Sequence, residues 1–447
     1  MSGRTDHPAK RSTRGSALRG LLGARDFRLL WAGMTVSLLG DGILLVALAW
    51  QVYALSNTPA ALALVGLAIT IPHVVFVLVG GVISDRLDRR RVMVVADAVR
   101  CAAIAGIGVL SLTGALHLWH LMVLAGLYGA GTAFFGPAFD AIIPELVHEE
   151  ALTTANSLDQ FVRPATLRLL GPALGGFVIA AWGSGTAFLL DAATYLASIA
   201  ALLAMSPATI VPTGPRSSAT HEIREGFRYV RAHVWLWGTL LAATVAYLLF
   251  MGPVEVLVPY VVKNELHRGA GVLGFVFAMG GLGAIGGALF MGRRGMPARH
   301  ITFMYLSWTV ATLAVAGYGL ATMPWQAMAA SFVFNALETV GTIVWATTKQ
   351  RRVPNRILGR VSSFDWFVSI GLLPVSFALT APVASVLGAR ATLVWAGVLG
   401  GAATVAALFL PGMRADEAPP VVARSDEVVG ASMAGSFAFG EAAGERS

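Results

Sequence analysis

Apolar runs of about twenty residues recur along nearly the whole chain, separated by short charged or Gly/Pro-rich breaks, and this pattern decides the fold class. We place them at 29–53, 62–83, 92–113, 119–140, 155–182, 186–206, 236–262, 270–291, 301–322, 325–347, 363–386 and 391–410. A helix of ~20 residues crosses the ~30 Å hydrocarbon core of a bilayer. The expectation is an all-α membrane protein with twelve transmembrane helices. Only 13% of the 447 residues are charged and 56% are hydrophobic, whereas a soluble domain averages roughly 25% charged residues. The net charge of +8 would suit a nucleic-acid partner, but the arginines sit in the breaks and not on one soluble face, so that partner is excluded. Cys101 is the only cysteine and lies in an apolar run, so no intrachain disulfide is expected. The histidines are scattered without metal-ligand spacing, and no metal or cofactor is expected. The chain has no Gly-x-x-x-x-Gly-Lys-Ser/Thr loop, which excludes a self-contained ATP-driven pump, and no nucleophile–base arrangement that would suggest an enzyme. The run from Leu29 is too long for a signal-peptide core and reads as a first span that stays in the membrane.

Lys and Arg divide unequally between the two ends of the spans. One side holds the basic start of the chain, the turn with Arg86, Arg89, Arg90 and Arg91, and the later pairs Arg293-Arg294 and Arg351-Arg352, whereas the other holds only Lys263, Arg268 and Arg390. This predicts an even number of spans with both termini in the cytoplasm. Pro207, Pro212, Gly214 and Pro215 mark a linker, and 221–234 places Ile223, Phe227, Val230 and Val234 on one face of an interfacial helix. The expected organisation is a basic tail at 1–28, a six-helix bundle at 29–206, a linker at 207–235, a second bundle at 236–410 and a disordered tail at 411–447. The chain is expected to be a monomer.

Acids inside the apolar runs are the candidate functional groups. Asp41 is near the middle of the first run, between Gly40 and Gly42. A central Asp costs roughly 2.5–3.5 kcal/mol on insertion scales, so it must face a cavity or a partner. There it could bind and release a proton; the structural alternative is a cap on a local helix break. Glu338 is midway along the tenth run, with Asn335 and Thr342 at helical spacing, and could face the same cavity as Asp41. Glu255 lies in the outer half of the seventh run, which Pro253 and Pro259 should bend. Asp191 reads as a residue near the outer end of the sixth run, and Asp97 with Arg100 as an ion pair on a helix surface near the cytoplasm. The first turns of the fifth run, with Arg163, Pro164 and Arg168, read as lying at the cytoplasmic interface, so the middles of the spans read as free of Arg and Lys.

The break at 80–91, Gly-Gly-Val-Ile-Ser-Asp-Arg-Leu-Asp-Arg-Arg-Arg, resembles the loop between the second and third helices of the major facilitator superfamily, with Asp88 where that family usually has Gly. Gly171-Pro172-Ala173-Leu174-Gly175-Gly176 resembles the end of the superfamily's antiporter motif, whose upstream glycines fall here on Leu158 and Leu167. Asp26-Phe27-Arg28-Leu29-Leu30-Trp31, Ser37-Leu38-Leu39-Gly40-Asp41 and Gly136-Pro137-Ala138 are similar to the branch of macrolide-efflux and enterobactin-exporter-like drug–proton antiporters. The resemblance implies two pseudo-symmetric six-helix bundles, export by alternating access, and a latch of Gly81, Asp85, Arg86, Arg89 and Arg90. It also implies a kinked, tightly packed fifth helix around Gly171, Pro172, Gly175 and Gly176. The arginine that assists proton coupling in the fourth helix of better-studied relatives has no counterpart in Leu124-Ala125-Gly126-Leu127-Tyr128-Gly129.

The favoured function is proton-coupled efflux of amphiphilic drugs such as macrolides, with protons, a small amphiphile and the lipid bilayer as partners. Export of a siderophore or another endogenous metabolite, lysolipid flipping, and a non-transporting receptor on the same fold are the alternatives. An anionic siderophore would want a cavity Arg or Lys, so the lack of visible mid-span cations favours neutral or cationic amphiphiles.

Overall fold

A computed structural model of the chain describes residues 23–147, 158, 161–206, 219–354, 357–358, 361–362, 364–365 and 371–417. Among these the regular structure is helical, as a chain in lipid requires, since each helix satisfies its own backbone groups. The helices are α1 (Arg25–Leu55), α2 (Pro59–Arg86), α3 (Arg89–Leu112), α4 (Leu118–Leu146), α5 (Gly171–Ala204), α6 (Ala219–Ala232), α7 (Val234–Tyr260), α8 (Ala270–Arg294), α9 (His300–Leu320), α10 (Pro324–Arg352), α11 (Leu373–Leu387) and α12 (Ala389–Ala407). Two π-helical segments, Pro164–Leu170 and Val261–Glu265, continue into α5 and out of α7.

The helical stretch Phe161–Ala204 has 44 residues, about twice what a bilayer crossing needs. It is two spans. Gly183 has φ +83°, a conformation that only glycine adopts cheaply, and the chain reverses there. Residues on both sides of Gly183 accordingly touch one helix: Gly171 and Gly175 lie against Gly42 and Ile43 of α1, and Ser198 and Ala201 lie against Gly33 of α1. Counting this pair as two, and the shorter α11 as a span, the described residues carry the twelve expected crossings.

Among the described residues two helix pairs carry most of the packing between the halves, with smaller contacts of α1 and α2 on α7 and of α1 on α8. The first half of α5 packs on α8, and α2 packs on α11, where the ring of Phe377 fills the space left by Gly66. The first pairing brings backbones together. A side chain on Gly176 would place its Cβ 2.9 Å from the Ala270 carbonyl and 3.1 Å from the Cα atoms of Gly271 and Gly274. Small residues at helix crossings are how spans associate where no hydrophobic force separates helix from lipid. Gly176 and the Pro172 backbone make this approach to α8, while Gly171 and Gly175 make the same kind of close approach to Gly42 and Ile43 of α1.

The seventh span runs as one helix through Pro253 and Pro259, where a bend was expected, and its hydrogen-bond ladder is interrupted near Pro253. Gly252 N donates to the Ser376 hydroxyl (2.8 Å), and that hydroxyl donates to the Leu248 carbonyl (2.8 Å). A side chain of α11 thus stands inside the hydrogen-bond ladder of α7, next to Pro253, which has no N–H to give. The turn between α2 and α3 is only Leu87-Asp88. Asp88 accepts a hydrogen bond from Arg90 N (3.0 Å) and so caps α3, which explains why an Asp serves where a Gly is usual. The side chains of Gly81, Asp85 and Arg86 lie outside the described residues, as do 1–22, 207–218 and 418–447. The expected tail begins with residues that pack: Met413 is buried, and Glu417 accepts from Thr302 N (2.9 Å) and Thr302 Oγ1 (2.6 Å) at the start of α9.

Replacing Gly274 with Val should lower unfolding stability by about 1–3 kcal/mol, because the added atoms meet the backbone of Pro172 and Gly176. Gly271→Ala should be near neutral, since its Cβ would come no closer than 3.9 Å to Gly176 O. Thermal unfolding of the detergent-solubilised variants checks both.

Candidate functional site

Asp41 stands in a continuous helix. No break in α1 needs a cap, so the structural alternative for this acid fails. Its flanking glycines serve the neighbours: a Cβ on Gly42 would come within 2.7 Å of the Leu167 carbonyl, and one on Gly40 would collide with Asp191 and Thr194. Asp41 Oδ1 accepts hydrogen bonds from the Tyr128 hydroxyl of α4 (3.0 Å) and the Tyr195 hydroxyl of α5. Asp41 Oδ2 lies 3.9 Å from Arg100 Nη1 of α3. Arg100 Nη2 donates to Asp97 Oδ1, and its guanidinium lies over the rings of Phe135 (4.3 Å) and Tyr195 (4.7 Å). Side chains from four helix segments therefore converge on one buried ion cluster.

Three readings from the sequence are corrected here. Asp97 and Arg100 are not a surface pair: they are 0% and 3% exposed. Asp191 is 0% exposed and packs beside Gly40, at the depth of Asp41 and not at the outer end of its span. A buried arginine does face the first-span acid, but it comes from the third span. Asp41, Asp97 and Asp191 share this one guanidinium, so in a low-dielectric interior the cluster is neutral only with protons bound. Asp97 Oδ2, Asp191 Oδ2 and Arg100 Nε have no hydrogen-bond partner among the described residues, which leaves the network polar capacity for a further proton or ligand.

Glu338 is not brought to Asp41. It lines a separate small cavity inside the C-terminal bundle, of about 40 Å³, with Tyr247, Phe250, Tyr305, Trp308 and Phe334. Its carboxylate accepts from Thr342 Oγ1 (2.9 Å), as the four-residue spacing predicts. Asn335 and Glu255 meet instead at Arg168. Arg168 Nη1 donates to Asn335 Oδ1 (3.0 Å), and its charge acts on Glu255. Arg168 is not at the cytoplasmic interface: its backbone packs against Gly281, near the middle of α8. The middles of the spans thus hold two cations, which removes the charge argument against anionic substrates.

At the end opposite the arginine-rich turns, α1 and the end of α7 close on each other. The Tyr53 hydroxyl donates to the Val256 carbonyl (2.6 Å), Asn57 Nδ2 donates to Asn264 Oδ1 (2.7 Å), and Lys263 donates to the Tyr53 carbonyl. At the other end Arg90 donates to the Leu203 carbonyl, and Arg89 opens α3.

The sequence profile of a family described as Transmembrane secretion effector matches residues 20–434. The chain is 24% identical over 382 residues to macrolide efflux protein A of Streptococcus pyogenes, covering 83% of this chain and 93% of that protein. It is 28% identical over 419 residues to the enterobactin exporter EntS of Shigella boydii, covering 90% and 95%. Among solved structures it resembles a POT family transporter in complex with 5-aminolevulinic acid (TM-score 0.66, 11% identity, 88% and 97% covered). It also resembles the nucleoside transporter NupG (TM-score 0.61, 10% identity, 86% and 98% covered) and a bacterial homologue of ferroportin in the inward-facing state (TM-score 0.56, 16% identity, 87% and 99% covered). These structural likenesses concern the fold.

Removing Arg100 alone strands buried carboxylates and should cost about 3–5 kcal/mol of stability. Arg100→Leu combined with Asp97→Asn should recover part of that loss. Chemical denaturation in detergent reads the difference; equal stability of wild type and Arg100→Leu would contradict the cluster.

Proposed function

The chain belongs to the transmembrane secretion effector family of the major facilitator superfamily, and from that premise we propose that it exports amphiphilic small molecules by alternating access, driven by protons. The observation that carries the proton reading is Asp41, held between two tyrosine hydroxyls and the Arg100 guanidinium in the buried cluster. A proton on Asp41 removes its attraction to Arg100 and turns one oxygen from acceptor to donor. The tyrosines and Arg100 then repack, and with them α1, α3, α4 and the second half of α5. Since α1 also carries Tyr53 and Asn57 to the closed outer end, this repacking biases the contacts between the halves. A proton shifts such a balance only through its different affinity for the two states.

In this reading both termini are cytoplasmic in a bacterial inner membrane, the bundles at 29–206 and 236–410 rock about the midplane, and the monomer is the working unit. Asp85 with Arg86, Arg89 and Arg90 latches the halves during switching, and Asp88 holds that turn by capping α3. The names of relatives give two candidate substrates, a macrolide and a siderophore. Arg168, a mid-span cation between the halves, favours keeping an anionic metabolite as the second reading.

In pump-deficient bacteria, wild-type protein should lower the accumulation of a fluorescent cationic dye or a radiolabelled macrolide. An uncoupler or Asp41→Asn should restore accumulation to that of cells lacking the protein. Wild-type export by well-expressed Asp41→Asn would overturn the assignment of Asp41. Unchanged accumulation of both probes by wild type would move the substrate to the host's own anionic products.

A further inference from the structure

We infer that Arg168 is a substrate anchor that binds an anionic group, a carboxylate or catecholate, at the midplane between the bundles. The inference deepens the export reading and rests on it for the word substrate. It starts from cost: a charged side chain in the middle of a span is expensive and persists where it meets a partner or serves a function. The partners of Arg168 use little of what it offers. A guanidinium has five N–H donors in a planar fork. One hydrogen bond, to the neutral Asn335, is formed at 3.0 Å, and Glu255 acts on the charge without a hydrogen bond to Arg168 among the described residues. The side chain is exposed, as is that of Glu255.

The surrounding backbone places this cation deliberately. Arg168 lies in the π-helical segment Pro164–Leu170, whose wider turn shifts the direction of the side chains that follow Pro164. Two adjacent glycines of α8 accommodate the pair. A Cβ on Gly281 would sit 2.5 Å from the carbonyl of Arg168, and a Cβ on Gly280 would sit 2.6 Å from Asn335 Nδ2. The N-terminal half supplies the cation, the C-terminal half supplies Asn335, and α8 fits between them. Asn335 is further fixed by donating Nδ2 to the Ser331 carbonyl (2.9 Å), which leaves its Oδ1 turned to the guanidinium. An oxyanion with two oxygens fits the fork better than a single amide oxygen and would displace Asn335. The Arg168–Asn335 contact then joins the halves only while the site is empty, so binding the anion loosens a contact between them.

The test is binding of dansylglycine and its methyl ester to purified protein in nanodiscs, read by dansyl fluorescence. The two probes differ in one negative charge. Wild type should bind the acid more tightly than the ester. Arg168→Gln should weaken the acid at least tenfold and leave the ester within about twofold, Arg168→Lys should be intermediate, and Asn335→Ala should tighten the acid by freeing the guanidinium. Equal binding of acid and ester by wild type, or undiminished acid binding by Arg168→Gln, would overturn the inference. Should Arg168→Gln not fold, Asn335→Ala decides: acid binding that fails to tighten would also overturn it. A wild type that selects the acid through Arg168 yet moves no probe in cells would retain the anchor and refute export.

Discussion

Taking a guanidinium out of water costs several kcal/mol even after relaxation, and the N-terminal bundle is arranged around offsetting that cost for Arg100. Asp97 contributes a carboxylate one helical turn away, Asp41 a second from the neighbouring span, and Phe135 and Tyr195 supply ring faces. These partners come from four helix segments, so the cation can be satisfied only when α1, α3, α4 and the second half of α5 are assembled. In the proposed reading the same constraint makes the site responsive, because a proton added to the three acids would change their balance against one cation in four helix segments at once.

The second constraint is closeness. Where α5 meets α8, glycine faces glycine and the backbones touch, so the halves are held by van der Waals contact and a few polar links. Such a seam is compatible with rocking. It has few interlocked side chains to pull apart, and the polar links between the halves among the described residues are few: Arg168 to Asn335, Tyr53 to Val256, Asn57 to Asn264 and Lys263 to the Tyr53 carbonyl.

Hydrophobic periodicity makes the spans legible, and an acid in the middle of the first run points to the Asp41 site. The reversal inside Phe161–Ala204 is also readable, because 155–182 and 186–206 leave only a short break around Gly183. Depth and neighbours are not. Arg100 lies twelve residues into α3 (Arg89–Leu112), far enough to be well inside the membrane, but a pair three residues apart with Asp97 looks the same on a helix surface and in a core. Arg168 is misplaced for a similar reason: in the sequence the charged residues near Pro164 look like the edge of a span, whereas the π-helical segment carries them to the middle of α8. Tyr128 and Tyr195 give no signal, since a tyrosine in an apolar run is ordinary until a carboxylate stands beside it. Glu338 and Asp41 both lie mid-span, and only their neighbours show that Glu338 lines a small cavity whereas Asp41 stands in a separate buried ion cluster.

The central claim is that the protonation of Asp41 sets the contacts between the halves. The direct measurement is the distance between spin labels at Thr58→Cys and Arg268→Cys, which are exposed beside the closure of α1 on the end of α7, in a Cys101→Ser background and in nanodiscs over a series of pH values. The account predicts two distance populations whose ratio titrates with pH in the wild-type cluster and stays constant in Asp41→Asn. The same pH-dependent redistribution in Asp41→Asn would contradict it.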